Sequence, residues 1–284
     1  MLKFSYVILH YKNIEDTLEC MQSIRQKFSS PIIVVDNHTL SKEEEEKVRQ
    51  YTDDILLLDD NYGFAKANNQ GISYAISKYH SDFVVVINND IVITQENFES
   101  QIRKVFKETN FDLLGPKIIT HGGDSVNPFP VYKNLEEVLK AIQNAKRNIK
   151  IFQSAFFSLI FEIYHRLKYK RKKIKHLRNG VQRVITAPLH GCAIVFSKKY
   201  LQRYQDAFYS GTFLYHEEEF LYYRVCKDQL ISCYDPSVFC FHKEGSSLKQ
   251  QFEKQNRKRE LFRNQEILKS LEQLKVIMEE KKDI

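Results

Sequence analysis

No stretch of this 284-residue chain reaches the roughly 18 consecutive apolar residues that a membrane-spanning helix needs. The apolar run near the start, Phe4 to Leu9, is too short for the core of a secretory signal and is followed by no small-residue cleavage site. Cysteine is sparse and odd in number: Cys20, Cys192, Cys226, Cys233 and Cys240. No two of them have C-x-x-C spacing, so neither a disulfide framework nor a zinc site is expected, and a reducing cytosol is the simpler setting. No G-x-G-x-x-G follows an apolar run, which argues against a dehydrogenase. The loop after the first apolar run, His10-Tyr11-Lys12-Asn13, holds no glycine, so the Gly-rich phosphate loop expected of a nucleotidyltransferase is missing. There is no internal repeat. Excess charge is modest: 43 Lys and Arg against 36 acids give +7. That balance suits a nucleotide diphosphate or an anionic membrane, with nucleic acid disfavoured.

What is present reads as a globular α/β protein, with 43% hydrophobic residues. Short Val- and Ile-rich runs at 4–9, 32–35, 55–58 and 83–87 predict buried strands. Helical spacing fills the intervals at 17–28, 42–51 and 65–79, and Ser41 with Glu44 forms a capping box for the second. This alternation implies a mostly parallel sheet with helices on both faces, whose ligands bind at the carboxyl ends of the strands. Further strands are predicted at 193–196, 231–234 and 238–241, a loop at 121–130, a helical stretch over 135–178, and an amphipathic helix over 257–282.

Polar clusters fall at successive strand ends. Asp36-Asn37 follows the second strand and could accept hydrogen bonds from a base or ribose; a strand-ending turn is an equal alternative. Asn88-Asn89-Asp90 follows the fourth, where a carboxylate beside amides can hold Mg²⁺ or Mn²⁺, although a plain turn also uses such residues. Glu217-Glu218-Glu219 lies among Phe213, Tyr215, Phe220 and Tyr222. Desolvation there would raise a carboxyl pKa toward that of a general base, while an acidic helix N-terminus is the plainer reading. His242 could complete a metal site with Asp90, though a lone histidine is more often structural.

Taken in order along the chain, these segments resemble the family 2 inverting glycosyltransferases of GT-A fold, especially bacterial rhamnosyltransferase-like members. The resemblance runs over about 6–247 and rests on Val7 to Asn13, Val34-Val35-Asp36-Asn37, Asn61-Tyr62-Gly63-Phe64-Ala65 through Asn68, Asn69 and Gly71, Asn88-Asn89-Asp90, Gly115-Pro116-Lys117, Gly191-Cys192-Ala193, Phe213 to Glu218 with Arg224, and His242 with Gly245 and Ser247. It implies a single Rossmann-like nucleotide-binding sheet merged with an acceptor-binding half, plus a helical basic insert and a C-terminal helix. The expected divisions are 1–117 for the nucleotide-sugar half, 118–250 for the acceptor half with its insert at 135–183, and 251–284 for the tail. The donor would meet Tyr11, Asp36, Asn37, Asn61, Gly63, Phe64, Asn68, Asn69, Asn88 and Asn89. Asp90 and His242 would hold Mn²⁺ or Mg²⁺. Glu218 would be the base, with Glu217 one residue away as the other candidate. Asn88 departs from the D-x-D pattern at its first position, and Phe220 stands where many members have an acid.

The expected donor is a UDP, dTDP or GDP sugar, and the acceptor a glycan or lipid-linked hydroxyl in bacterial surface polysaccharide assembly. Segment 149–178 joins aromatic residues to Lys170-Arg171-Lys172-Lys173, a pattern suited to an anionic membrane surface. The expected location is therefore cytoplasmic, peripheral at the inner face of the cell membrane. Two other readings stand beside this one. A degenerate relative would bind sugar nucleotides without chemistry, and a basic RNA-binding protein would leave the strand-end clusters unexplained.

Overall fold

The computed structural model describes residues 2–123, 125–159, 182–243 and 255–280. Strands β1 (Phe4–His10), β2 (Ile32–Asp36), β3 (Asp54–Leu57) and β4 (Phe83–Asn88) alternate with helices α1 (Ile14–Arg25), α2 (Lys42–Arg49) and α3 (Gly63–Tyr79). Side chains on β4 divide by the two-residue period of a strand. Phe83, Val85 and Ile87 enter the core shared with α1, while Val84 and Val86 enter the one shared with α3. Being covered on both faces, the strand reads as a continuous apolar run. The expected capping box closes the start of α2: Glu44 N–H donates to Ser41 Oγ at 3.2 Å, and Ser41 N–H to Glu44 Oε2 at 2.9 Å.

The chain continues through β5 (Ile91–Val92), α4 (Phe98–Thr109), β6 (Leu113–Ile119), α5 (Leu135–Gln153), β7 (Val184–Ile185), β8 (Ala193–Ser197), α6 (Lys198–Arg203), α7 (Glu217–Lys227), β9 (Ser232–His242) and α8 (Asn256–Glu280). The described strands form one sheet in the order β3-β2-β1-β4-β8-β6-β9-β5, with β7 also paired to β9. From β3 to β4 the pairing is parallel; β8 then runs antiparallel to both β4 and β6. The sheet is therefore mixed: β3 to β4 form an all-parallel block, and in the second half only β6 and β9 pair in parallel among the described strands.

Two expectations change in detail. The strands predicted at 231–234 and 238–241 are one strand, β9, whose register against β6 shifts between Pro116 and Lys117. Pro236 has no N–H for the ladder, and the side chain of Gln95 fills the gap. Its Oε1 accepts from Phe239 N–H, and its Nε2 donates to Ser237 O, both at 2.9 Å. The long helix expected over 135–178 stops at Gln153, where Ser154 turns extended, and resumes over 155–159. The basic cluster at 170–173 lies outside the described residues. Helix α8 packs along α5 and α7 through Leu271, Leu274 and Ile277 against Val138, Ala141 and Phe220, which settles where its apolar stripe goes. No helix among the described residues is long and apolar enough to cross a membrane.

Candidate active site

Strand order 3-2-1-4 reverses direction between β1 and β4, and open α/β sheets bind ligands beyond the carboxyl ends of the strands at such a reversal. That edge carries His10-Tyr11-Lys12 at the end of β1, Asp36-Asn37 at the end of β2 and Asn88-Asn89-Asp90 at the end of β4. Asn37 joins two of these turns to the start of α3. Its Oδ1 accepts from Tyr62 N–H at 2.8 Å and its Nδ2 donates to Gly63 O at 3.1 Å. Tyr11, whose phenol is pushed up by burial, meets the side chain of Asn61. Asn61 in turn accepts from Gly63 N–H at 3.0 Å. Tyr11, Asn37, Asn61, Gly63 and Phe64 are thus one contiguous group.

Other residues expected at the donor site brace the scaffold. Asp36 is buried, and its Oδ1 accepts from Thr39 N–H at 2.9 Å and Leu40 N–H at 3.2 Å, so its carboxylate closes its own turn. Asn69 clamps the loop before the acidic motif, accepting from Phe208 N–H at 2.9 Å and donating to Phe208 O at 2.8 Å. Asn89 donates to Asn13 O and Thr17 Oγ1, fixing the start of α1. Asn68 is fully buried; its Nδ2 donates to Phe64 O, and its Oδ1 has no partner. Asn88 ends β4, and its N–H donates to Cys192 O at 2.9 Å.

Asp90 and His242 meet because β5 pairs with the end of β9, Ile91 opposite His242. His242 Nε2 lies 3.1 Å from Asp90 Oδ2. Asp90 Oδ1 is buried with no hydrogen-bond partner. A buried carboxylate oxygen left unpaired is costly unless something fills the position, and an oxygen-seeking divalent cation would do so. The pair therefore fits a divalent cation that would take its remaining ligands from elsewhere. Among the described residues no group of three or more His, Cys, Asp or Glu could hold an ion alone. The Gly245 and Ser247 positions lie outside the described residues.

The acidic run opens α7. Tyr215 and His216 before it are both left-handed, with φ of 71° and 68°, and His216 supplies no side-chain cap. Three carboxyls then sit in the first turn, where the helix dipole favours negative charge. They are not equivalent. Burial, then the like charge of Glu218, pushes Glu217 up to about 8, so it is neutral at pH 7. Glu219 is buried beside His216, 3.2 Å from its Nδ1. Glu218 instead faces the loop before β8, accepting from Gly191 N–H at 3.0 Å.

This loop ties the parts together. A Cβ built on Gly191 would lie 3.3 Å from Glu218 Oε1 and 3.4 Å from Phe64 Cζ, so the α3 segment, the β8 loop and the acidic motif share one wall. Phe64 N–H also donates to Phe213 O at 2.9 Å. Strand β8 pairs with β4, Ala193 opposite Ile87, which brings Cys192 beside the end of β4. Burial raises the Cys192 thiol strongly, and Cys240, Asp90 and Glu218 add to the rise. The Asp90–His242 pair and Glu218 are therefore neighbours across Cys192. Sequence reasoning missed one residue here: His190, whose Nδ1 is 3.6 Å from Glu218 Oε1. Its only sequence signal is its place just before Gly191-Cys192-Ala193, since its partner is 28 positions further on.

A mixed sheet with a strand-end carboxylate and histidine and a separate acidic helix start agrees with the glycosyltransferase of GT-A fold that the sequence resembles. In keeping with this, the crystal structure of GalNAc-T7 with UDP, GalNAc and Mn²⁺ superposes with a TM-score of 0.55 over 93% of this chain and 47% of that one, at 11% identity, which establishes the shared GT-A fold. The profile of Glycosyl transferase family 2 matches residues 5–205, and the chain belongs to that family of glycosyltransferases. The low-salt glycan biosynthesis hexosyltransferase Agl10 of Haloferax volcanii is 27% identical over 157 residues, 51% of this chain and 48% of that protein. The chain thus spans about half the length of the curated relative it matches.

Proposed function

We propose that this glycosyltransferase inverts configuration as it moves a sugar from a UDP, dTDP or GDP donor to a hydroxyl of a glycan or lipid-linked acceptor, with Mn²⁺ or Mg²⁺ as cofactor. The observation that carries this reading is the orphaned Asp90 oxygen beside His242, next to a loop that also holds Glu218. The GalNAc-T7 complex with UDP and Mn²⁺ and the glycan-synthesis hexosyltransferase support it by likeness of fold and sequence. Residues 1–117 would bind the donor and 118–250 the acceptor, with 251–284 as a packing tail. Bacterial surface polysaccharide, capsule or O-antigen, is the proposed setting.

Asp90 and His242 would hold the cation, which supplies charge neutralisation for the departing diphosphate. Tyr11, Asn61 and the backbone around Gly63 would line the nucleotide's place. Glu218 takes the proton of the acceptor hydroxyl as that oxygen bonds to the anomeric carbon and the carbon–phosphate-oxygen bond breaks, its electron pair leaving with the diphosphate. Glu218 suits this role better than Glu217, which is already protonated near neutrality and whose Oε1 is enclosed. The test is a donor panel assayed for metal-dependent nucleotide release. Glu218→Gln should lose about 10²–10⁴-fold in turnover while keeping donor binding, and Asp90→Ala should lose metal-dependent donor binding. Full turnover in the first, or unchanged calorimetric affinity in the second, overturns the assignment.

A further inference from the structure

His190 stands in the loop before β8 with its ring in a defined form. Cys192 N–H donates to Nδ1 at 3.0 Å, so that nitrogen presents a lone pair and the ring proton resides on Nε2. Burial pulls the imidazole below its ordinary pKa. Around it, Glu218, Asp90 and Glu219 favour the charged form while His242 opposes it, and burial prevails. The 3.6 Å approach of Nδ1 to Glu218 Oε1 is therefore not an ion pair. Glu218 takes its hydrogen bond from Gly191 N–H instead and stays available as a base.

The ring is also held in place. Its backbone N–H donates to Asn127 Oδ1 at 2.8 Å, and Asn127 Nδ2 is itself bound to Pro116 O at 2.9 Å. Phe129 meets the ring edge-on at 4.6 Å between centroids. Nε2–H has no partner among the described residues, and the side chain is 24% exposed. A fixed donor beside a carboxylate, on a partly exposed ring, is built to meet a ligand oxygen. Being neutral, it suits a hydroxyl more than a phosphate, for which a cation would serve better. Phe129 comes from the segment after β6, and Tyr132 of the same segment packs on His216 at 5.7 Å. The donor group of Tyr11, Asn37 and Asn61 lies after β1, β2 and β3 instead.

We propose that His190 is a substrate-binding residue: a neutral imidazole that donates Nε2–H to a hydroxyl of the acceptor sugar and so selects which neighbouring hydroxyl reaches Glu218. The acceptor class it fits is a sugar ring with a second hydroxyl beside the attacking one. This rests on the reading of Glu218 as the base.

Two variants separate recognition from support. In His190→Asn the side-chain oxygen can still accept from Cys192 N–H, but the outer donor is gone. In His190→Gln the amide N–H reaches the place of Nε2–H, but the inner acceptor is gone. Acceptor kcat/KM is measured with the donor and hexoside acceptor on which the wild type releases most nucleotide. Thermal stability and binding of UDP, dTDP or GDP with Mn²⁺ are the controls. His190→Asn should keep wild-type melting and nucleotide affinity and lose about tenfold in acceptor kcat/KM; His190→Gln should retain more of that activity than Asn. Wild-type acceptor kcat/KM in the Asn variant, or a Gln variant no better than Asn, overturns the proposal. In the same assay Glu218→Gln keeps the two ideas apart: full turnover there sinks the base, whatever His190 does. If no donor is turned over by the wild type, ¹⁵N spectra of the His190 ring still decide, because a proton found on Nδ1 at neutral pH overturns the proposal.

Discussion

Replacing Gly63 by alanine tests whether the start of α3 and the acidic loop are one unit. Gly63 has φ of +75°, and a Cβ there would lie 2.1 Å from Phe213 O and 2.8 Å from Phe213 C. The left-handed backbone by itself costs an alanine about 1–2 kcal/mol. The contact is with backbone, so relief means moving either the helix start or the loop by about 1 Å. That would loosen the Phe64 N–H to Phe213 O bond, which contributes about 1 kcal/mol. The sum is a loss of roughly 2–3 kcal/mol, read as a lower urea midpoint at unchanged m. Gly123 supplies the control: its φ is +78°, but a Cβ there meets nothing within 4 Å. Gly123→Ala should therefore show only the backbone part, about 1–2 kcal/mol. Gly63→Ala should also lower transfer under conditions where it remains folded, because Phe213 leads into the turn that presents Glu218. Equal losses of stability in the two variants would refute the clash argument, and full transfer by Gly63→Ala would refute the coupling to Glu218.

Glu217 and the exposed aromatic patch give two further tests. Since burial raises Glu217 from 4.5 to about 8, the folded state binds the extra proton between those values, and stability falls as pH rises through that window. Glu217→Gln should flatten this dependence, gaining on the order of 3 kcal/mol over wild type at pH 7 and little below pH 4.5; parallel stability curves for the two proteins would refute the buried neutral acid. Phe156, Phe157 and Leu159 are 68%, 57% and 58% exposed just before the basic stretch at 170–173, which supports peripheral binding to an anionic membrane. Pelleting with anionic but not neutral vesicles, reduced by Phe156→Ser and Phe157→Ser, is the expected result, and equal pelleting with both vesicle types would count against the electrostatic reading.

Sequence alone determined the first half of the sheet and the order of its helices. Runs such as Val84-Val85-Val86-Ile87 have no polar side to expose, and Ser41 with Glu44 marks a helix start through bonds that span three residues. It also placed Asp90 and Asn37 at strand ends, because strand ends are local. It could not see that Pro116 and Pro236 lie within paired strands, since each breaks the local pattern and Gln95 mends the gap from more than 140 positions away. Nor could it rank the acids. Glu217, Glu218 and Glu219 are chemically alike in the chain, and only packing buries the first, aims the second at Gly191 and sets the third beside His216. The same holds for Asp36, whose carboxylate turns back on its own loop, and for His190, which gains its meaning from Cys192 and Glu218 together. Periodicity and caps act over a few residues and are legible in order; protonation, tautomer and convergence depend on neighbours that only the folded chain brings close.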